Sequence, residues 1–238
     1  MKPRSQLQRS YPQVKICGLT RPDEAVRCAV AGADAIGLVF FAKSPRNVSI
    51  KQAKTIADAL PDEVAAVGVF VNASFDFILK RVKGCGLSMV QLHGRESPAL
   101  ARRLKGEGVG VVKGLFVDGL PGLDEARKYP VDGYLVECAK GPLPGGNAMA
   151  WDWSAAKDFG YGFPLVLAGG LSPENVTEAI SAALPAAVDV SSSVEIEPGR
   201  KDPDRVARLI AAVQRTSSLF PKKVLQPVFS LYPLTLHD

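Results

Sequence analysis

Cysteine and histidine are scarce in this chain, and neither is spaced for a metal or a disulfide. Its 238 residues hold four cysteines, at 17, 28, 85 and 138, and two histidines, His93 and His237. There is no CxxC pair, so the pattern fits neither a disulfide framework nor a zinc site and reads as four reduced thiols. A long apolar run of the kind that spans a membrane is also lacking. The stretch Met1–Gln13 carries Lys2, Arg4 and Arg9 without the apolar core of a secretory signal, which predicts a cytoplasmic protein. The net charge is +5, but lysine and arginine are dispersed, with no basic stripe interleaved with aromatics. Nucleic acid is therefore not an expected partner, and neither is a membrane. A dinucleotide fingerprint is missing too: Gly108-Val109-Gly110 has Lys113 where the third glycine belongs and precedes a strand instead of following one.

What is present is a repeated alternation. With 47% hydrophobic and 22% charged residues the chain suits one large globular domain. Short apolar runs at Val14–Cys17, Ala35–Phe40, Ala65–Phe70, Met89–Leu92, Gly110–Lys113, Tyr134–Glu137, Leu165–Ala168 and Ala187–Val190 read as eight strands. Helical segments follow each, including Ile50–Leu60, Leu123–Lys128, Pro173–Ala182 capped by Ser172, and Pro203–Val213 capped by Asp202. The first helix, starting near Asp23, has Thr20 or Asp23 as its cap. Eight βα units in about 200 residues predict a parallel, closed (β/α)8 TIM barrel over 14–215, ahead of an open doubly wound sheet. Residues 1–13 form an N-terminal extension. Residues 216–238, with Pro221, Pro227 and Pro233, continue no repeat and read as a surface extension or a partly disordered tail.

In such a barrel the chemistry comes from the C-terminal ends of the strands. The ring so collected contains Cys17, Lys43–Arg46, Asn72, Gln91 and His93, Lys113, Glu137, Gly169-Gly170 and Ser191-Ser192-Ser193. Gly169-Gly170 lets a ligand approach backbone closely, and Ser191-Ser192 follows strand eight, where barrels commonly hold phosphate. Together they predict a small phosphorylated substrate. Cys17 and Glu137 form a candidate acid/base pair: a thiolate whose pKa is depressed by a cation such as Lys15 or Arg46, and a carboxyl kept protonated at an apolar mouth. His93 orients the pair or touches substrate, and Arg46 offers a fork for an anion. Each has a plainer reading, as a small buried thiol, a rim histidine or a solvated arginine. Cys28 and Cys85 read as structural, and Cys138 as pointing away from Glu137.

The motifs Lys15-Ile16-Cys17-Gly18, Ser44-Pro45-Arg46, Val69-Phe70-Val71-Asn72, Gln91-Leu92-His93-Gly94, Ala168-Gly169-Gly170-Leu171 and Val188-Asp189-Val190-Ser191-Ser192, with Pro198–Asp202, occur in this order. The chain thereby resembles the phosphoribosylanthranilate isomerases of tryptophan biosynthesis from about Val14 to Val213. The resemblance implies an Amadori rearrangement of N-(5-phosphoribosyl)anthranilate with no cofactor and no metal. It implies Cys17 as the base at ribose C2, Glu137 as the acid at the ring oxygen, and Arg46 on the anthranilate carboxylate. It further implies that Gly169, Gly170, Ser191 and Ser192 bind phosphate; Gln91 and His93 are expected to line the substrate, and a monomer or a homodimer is expected. Three departures stand out. The family usually has aspartate at Glu137, a Gly-Gly-Thr-Gly or Gly-Gly-Ser-Gly loop at Gly145-Gly146-Asn147-Ala148, and glycine at Ser193, where Ser would resist a positive φ. These departures keep a repurposed, non-catalytic phospho-ligand barrel as the alternative. A histidine-pathway sugar-phosphate isomerase fits less well, because that chemistry uses paired aspartates where this chain has Cys17.

Overall fold

The computed structural model describes residues 10–138, 150–220 and 227–230. Eight parallel strands close on one another in chain order: β1 (Gln13–Cys17), β2 (Ala35–Phe40), β3 (Ala65–Phe70), β4 (Met89–Leu92), β5 (Gly110–Phe116), β6 (Gly133–Glu137), β7 (Leu165–Leu167) and β8 (Ala187–Val190). The ring is shut by β1, which pairs with β2 on one side and β8 on the other. Most of these residues are buried, because one face of each strand looks into the barrel and the other lies under helices. That double burial is why the strands read as nearly continuous apolar runs. The architecture is the (β/α)8 barrel that the alternation predicts.

The outer layer holds α1 (Pro22–Ala31), α2 (Ile50–Asp58), α3 (Phe75–Cys85), α4 (Pro98–Gly106), α5 (Lys157–Gly162), α6 (Val176–Ala183) and α7 (Pro203–Gln214). Side chains of Ser49, Ser74, Ser97 and Asp202 accept backbone N–H groups at the starts of α2, α3, α4 and α7. Each such cap contributes about 1 kcal/mol and fixes where the chain leaves the mouth. Among the described residues no helix is long and apolar enough to cross a membrane.

Four local expectations change. Leu123–Lys128, between β5 and β6, is a 3₁₀ helix. The segment is short and runs into Tyr129-Pro130, and a residue before proline is pushed out of the α region. The α6 helix begins one turn later than Pro173, because Asn175 reaches back to accept from Ser172 N at 2.7 Å and donate to Gly170 O at 2.9 Å. Neither Thr20 nor Asp23 caps α1: Arg21 holds the N-cap position without a side-chain bond, and the Thr20 hydroxyl donates to Gly199 O at 2.7 Å.

The fourth change concerns Lys113. Strand β5 runs three residues further than expected, so Lys113 lies mid-strand, fully buried, and not in the ring of strand ends. Its Nζ donates to Leu92 O (3.0 Å), Gly94 O (2.6 Å) and Glu96 Oε2 (3.1 Å). Glu96 also accepts from Asn72 N and Gly94 N, while Asn72 Oδ1 accepts from Arg95 N. Asn72 and Lys113 therefore brace the loops behind β3 and β4. Burial pushes the Lys113 pKa down, with Glu96 opposing it. Glu96→Ala should leave that ammonium without its counter-charge and cost about 3–5 kcal/mol. An unchanged urea midpoint for that variant would contradict the assignment.

Candidate active site

On β1 the buried side chains of Gln13, Lys15 and Cys17 alternate with Val14 and Ile16, so the three share the inward face. Lys15 lies opposite Asp189 in the β1–β8 register, and its Nζ meets Asp189 Oδ2 at 2.8 Å. Burial alone would lower the Lys15 pKa, but Asp189 and Cys17 hold it above the usual lysine value. One pleat higher, Cys17 is opposite Gly37 on β2, where a Cβ would stand 2.6 Å from the Cys17 sulfur. The absence of a side chain there makes the room the thiol occupies. Burial pushes the Cys17 thiol above its ordinary pKa; Lys15 pulls against this most strongly, Asp189 adds to the rise and Lys201 opposes it. The depressed thiol pKa expected from the sequence is thus not found: the cations are in place, but desolvation outweighs them.

Beside Cys17 stands a second charged group built by a ribbon the sequence did not announce, β9 (Glu195–Glu197) paired antiparallel with β10 (Arg200–Lys201). Glu195 is held by Arg46 through Nε at 2.9 Å and Nη2 at 2.6 Å, by Lys201 Nζ at 2.6 Å and by Gly199 N at 3.2 Å. Burial would raise the Glu195 pKa, but the bonds from Arg46 and Lys201 carry it below the usual carboxylate value. Lys201 is driven down by burial despite Glu195. Arg46 is therefore no free fork: Glu195 occupies its Nε–Nη2 edge and leaves the Nη1–Nη2 edge. Three cations, Lys15, Arg46 and Lys201, surround Cys17 against the two carboxylates Asp189 and Glu195. The excess is positive and suits an anionic ligand.

Across the mouth, Glu137 ends β6 and reaches toward His93, which follows β4. Glu137 Oε1 lies 3.1 Å from His93 Nε2, and Gln91 Nε2 lies 3.1 Å from His93 Nδ1. Gly114 of β5 lies between them, where a Cβ would sit 2.9 Å from the imidazole. The contact with His93 is at ion-pair distance without hydrogen-bond alignment, so Glu137 Oε1, like Gln91 Oε1, lacks a hydrogen-bond partner. On the other side Gly169, at φ +84°, admits the indole of Trp151, whose Nε1 donates to Ala168 O at 2.9 Å; Trp153 Nε1 donates to Gly169 O at 3.2 Å. Both tryptophans of the chain stand here. The structure thus brings Gln91, His93 and Glu137 together, and separately Cys17, Arg46 and the loop after β8.

That loop is tied down. Ser191 Oγ donates to Cys17 O at 3.0 Å, and Ser193 Oγ donates to Leu171 O. Ser192 opens a 3₁₀ turn, Ser192–Val194, which the Ser193–Leu171 bond ties to the loop after β7. Among the described residues no group of three His, Cys, Asp or Glu side chains is arranged to hold a metal.

The family model for N-(5'-phosphoribosyl)anthranilate (PRA) isomerase matches residues 14–212. The N-(5'-phosphoribosyl)anthranilate isomerase of Desulfatibacillum aliphaticivorans is 49% identical over 89% of this chain and 98% of its own length. The crystal structure of phosphoribosyl anthranilate isomerase from Thermotoga maritima is 38% identical, covers 86% of this chain and 99% of its own, and superposes with a TM-score of 0.78. A structure of the enzyme with reduced 1-(o-carboxyphenylamino)-1-deoxyribulose 5-phosphate, with the same identity and coverage, has a TM-score of 0.75. The chain belongs to the phosphoribosylanthranilate isomerase family. The dimeric enzyme of Thermotoga maritima, crystallised as monomers, is a further relative at 37% identity and a TM-score of 0.75, covering 86% of this chain and 99% of its own.

Within the phosphoribosylanthranilate isomerase frame, one departure loses its force. Among the described residues only Asn72 and Leu184 have positive φ without being glycine, so Ser193 stands in an ordinary conformation. Gly145-Gly146-Asn147-Ala148 lies outside the described residues. Glu195, Lys201 and Trp151 were missed by sequence reasoning. Their signals are the Glu-x-Glu-Pro-Gly-Arg-Lys hairpin pattern and a Trp-Asp-Trp pair. Lys15→Met should raise the Cys17 pKa further, since it removes the cation that most favours the thiolate. Alkylation of Cys17 followed against pH by mass spectrometry should have a midpoint above that of an ordinary cysteine in the parent and higher still in the variant. A lower midpoint in Lys15→Met would contradict this electrostatic reading.

Proposed function

We propose that the chain carries out the family's Amadori rearrangement of N-(5-phosphoribosyl)anthranilate with Cys17 as general base and Glu137 as general acid. Glu137 gives a proton to the furanose ring oxygen as the C1–O bond breaks, and the anilino nitrogen takes up the positive charge as an iminium. Cys17, once its own proton has passed to solvent and the thiolate is held by Lys15, then removes the proton from C2, leaving an enolamine. Protonation at C1 and loss of the C2 hydroxyl proton give 1-(2-carboxyphenylamino)-1-deoxyribulose 5-phosphate. The observation that carries this assignment is the division of the mouth into two proton-handling groups: a buried thiol among cations at β1, and a carboxyl against a histidine at β6.

The remaining roles follow from charge and reach. The open edge of Arg46, held in plane by Glu195, takes the anthranilate carboxylate, which matches a planar fork. Gly169-Gly170 and the turn at Ser191-Ser192 take the phosphate, through backbone N–H groups more than through Ser191 Oγ, which is already engaged. Gln91 fixes the His93 ring, and His93 sets the Glu137 carboxyl. The enzyme works in the cytoplasm as a monomer or a homodimer on this one small phosphorylated substrate.

Cys17→Ala should lower kcat by about 10² or more, and Glu137→Gln by about 10² to 10⁴, with KM little changed. Glu137→Asp should keep measurable turnover, since it retains the carboxyl. Steady-state kinetics decide: wild-type rates in either Cys17→Ala or Glu137→Gln would remove that residue from the mechanism.

A further inference from the structure

The end of the barrel opposite the site is closed by the chain's own C-terminal segment, which lies beyond residue 212, where the family match ends. Residues 227–230 run beneath the first residues of the strands. Val228 and Phe229 are 1% and 3% exposed and pack with Ala35, Ala65, Met89 and Ala187, each the first residue of its strand, and with Val112 and Val166 just above. Gly133, which opens β6, leaves the space that Val228 fills: a Cβ there would lie 2.5 Å from Val228 Cγ1.

The segment is also held by its backbone. Gln13, at the foot of β1 and 3% exposed, accepts from Val228 N at 2.7 Å and Phe229 N at 2.9 Å, and donates to Phe229 O at 2.9 Å. One side-chain amide thus satisfies three main-chain groups of a bent segment, Val228 N, Phe229 N and Phe229 O. Apolar seats for two side chains supply the selectivity. A polar residue at the start of an otherwise apolar strand, buried where water would normally solvate it, has no other partner role among the described residues.

We propose that the N-terminal face of this barrel is a peptide-binding pocket whose ligand, bound in cis, is Pro227–Ser230. The pocket takes a bent apolar segment with a Val-Phe pair, and the segment closes the interior column of Gln13, Lys15 and Cys17 from below. The buried ion pair under the catalytic thiol is thereby shielded from water on the side away from the substrate.

The test is thermal melting of the full-length Val228→Ala/Phe229→Ala variant, with a synthetic peptide of residues 225–232 added in trans. Emptying both seats should lower Tm by about 5 °C or more, and the peptide should restore it saturably, as a native-state ligand does. A peptide with both anchors changed to alanine should not. If the double variant fails to fold, Phe229→Leu keeps the measurement possible with a smaller shift. An unchanged Tm in the folded variants, or equal stabilisation by the alanine peptide, would overturn the proposal. A parent Tm that rises with protein concentration, with that dependence lost in the Val228→Ala/Phe229→Ala variant, would assign the segment to a second copy and overturn binding in cis.

Discussion

The ion pair of Lys15 and Asp189 at the centre of the barrel is the interaction on which the site depends. An ammonium removed from water costs several kcal/mol even after relaxation, and only a partner at hydrogen-bonding distance offsets it. Register supplies that partner, since Lys15 and Asp189 face each other across β1 and β8. The next inward residue on β1 is Cys17, so the cation that must be neutralised below also acts on the thiol above. Desolvation keeps the thiol protonated at rest, and its conjugate base is correspondingly strong. Arg46 and Lys201, organised by Glu195, set a second cationic wall beside it. An anionic substrate enters a place already tuned for negative charge.

The opposite wall obeys a different constraint. Glu137 is one methylene longer than the aspartate the family resemblance leads one to expect. It stands against His93 with room made by Gly114, and against Gly169, whose missing side chain leaves space for Trp151. The two glycines thus set the positions of the His93 ring and the Trp151 indole, between which the Glu137 side chain projects.

Much of this was legible in the sequence, and the reason is periodicity. Apolar runs buried on both faces mark all eight strands, and the strand ends then mark Cys17, Glu137, His93 and the glycine pair without any alignment. What could not be read depends on partners far away in the chain. Lys113 belongs to the loop after β4 because β5 runs on to Phe116, and strand length is set by pairing with β6. Arg46 is committed to Glu195, 149 residues away, on a ribbon whose hairpin pattern does not reveal its distant partner. The Thr20 hydroxyl, a natural cap, is spent on Gly199 for the same reason. Val228 and Phe229 had no repeat to belong to, because their seats are the first residues of other strands.

The central claim is that this arrangement of thiol, carboxyl and cations turns over the family's substrate despite the altered acid. Its most direct test is the decay of the anthranilate fluorescence of N-(5-phosphoribosyl)anthranilate, generated in situ, on addition of the purified wild-type chain with no metal or cofactor supplied. The account predicts a decay rate proportional to enzyme concentration, with the carboxyphenylamino-deoxyribulose phosphate as product. A decay no faster than in buffer alone would contradict it.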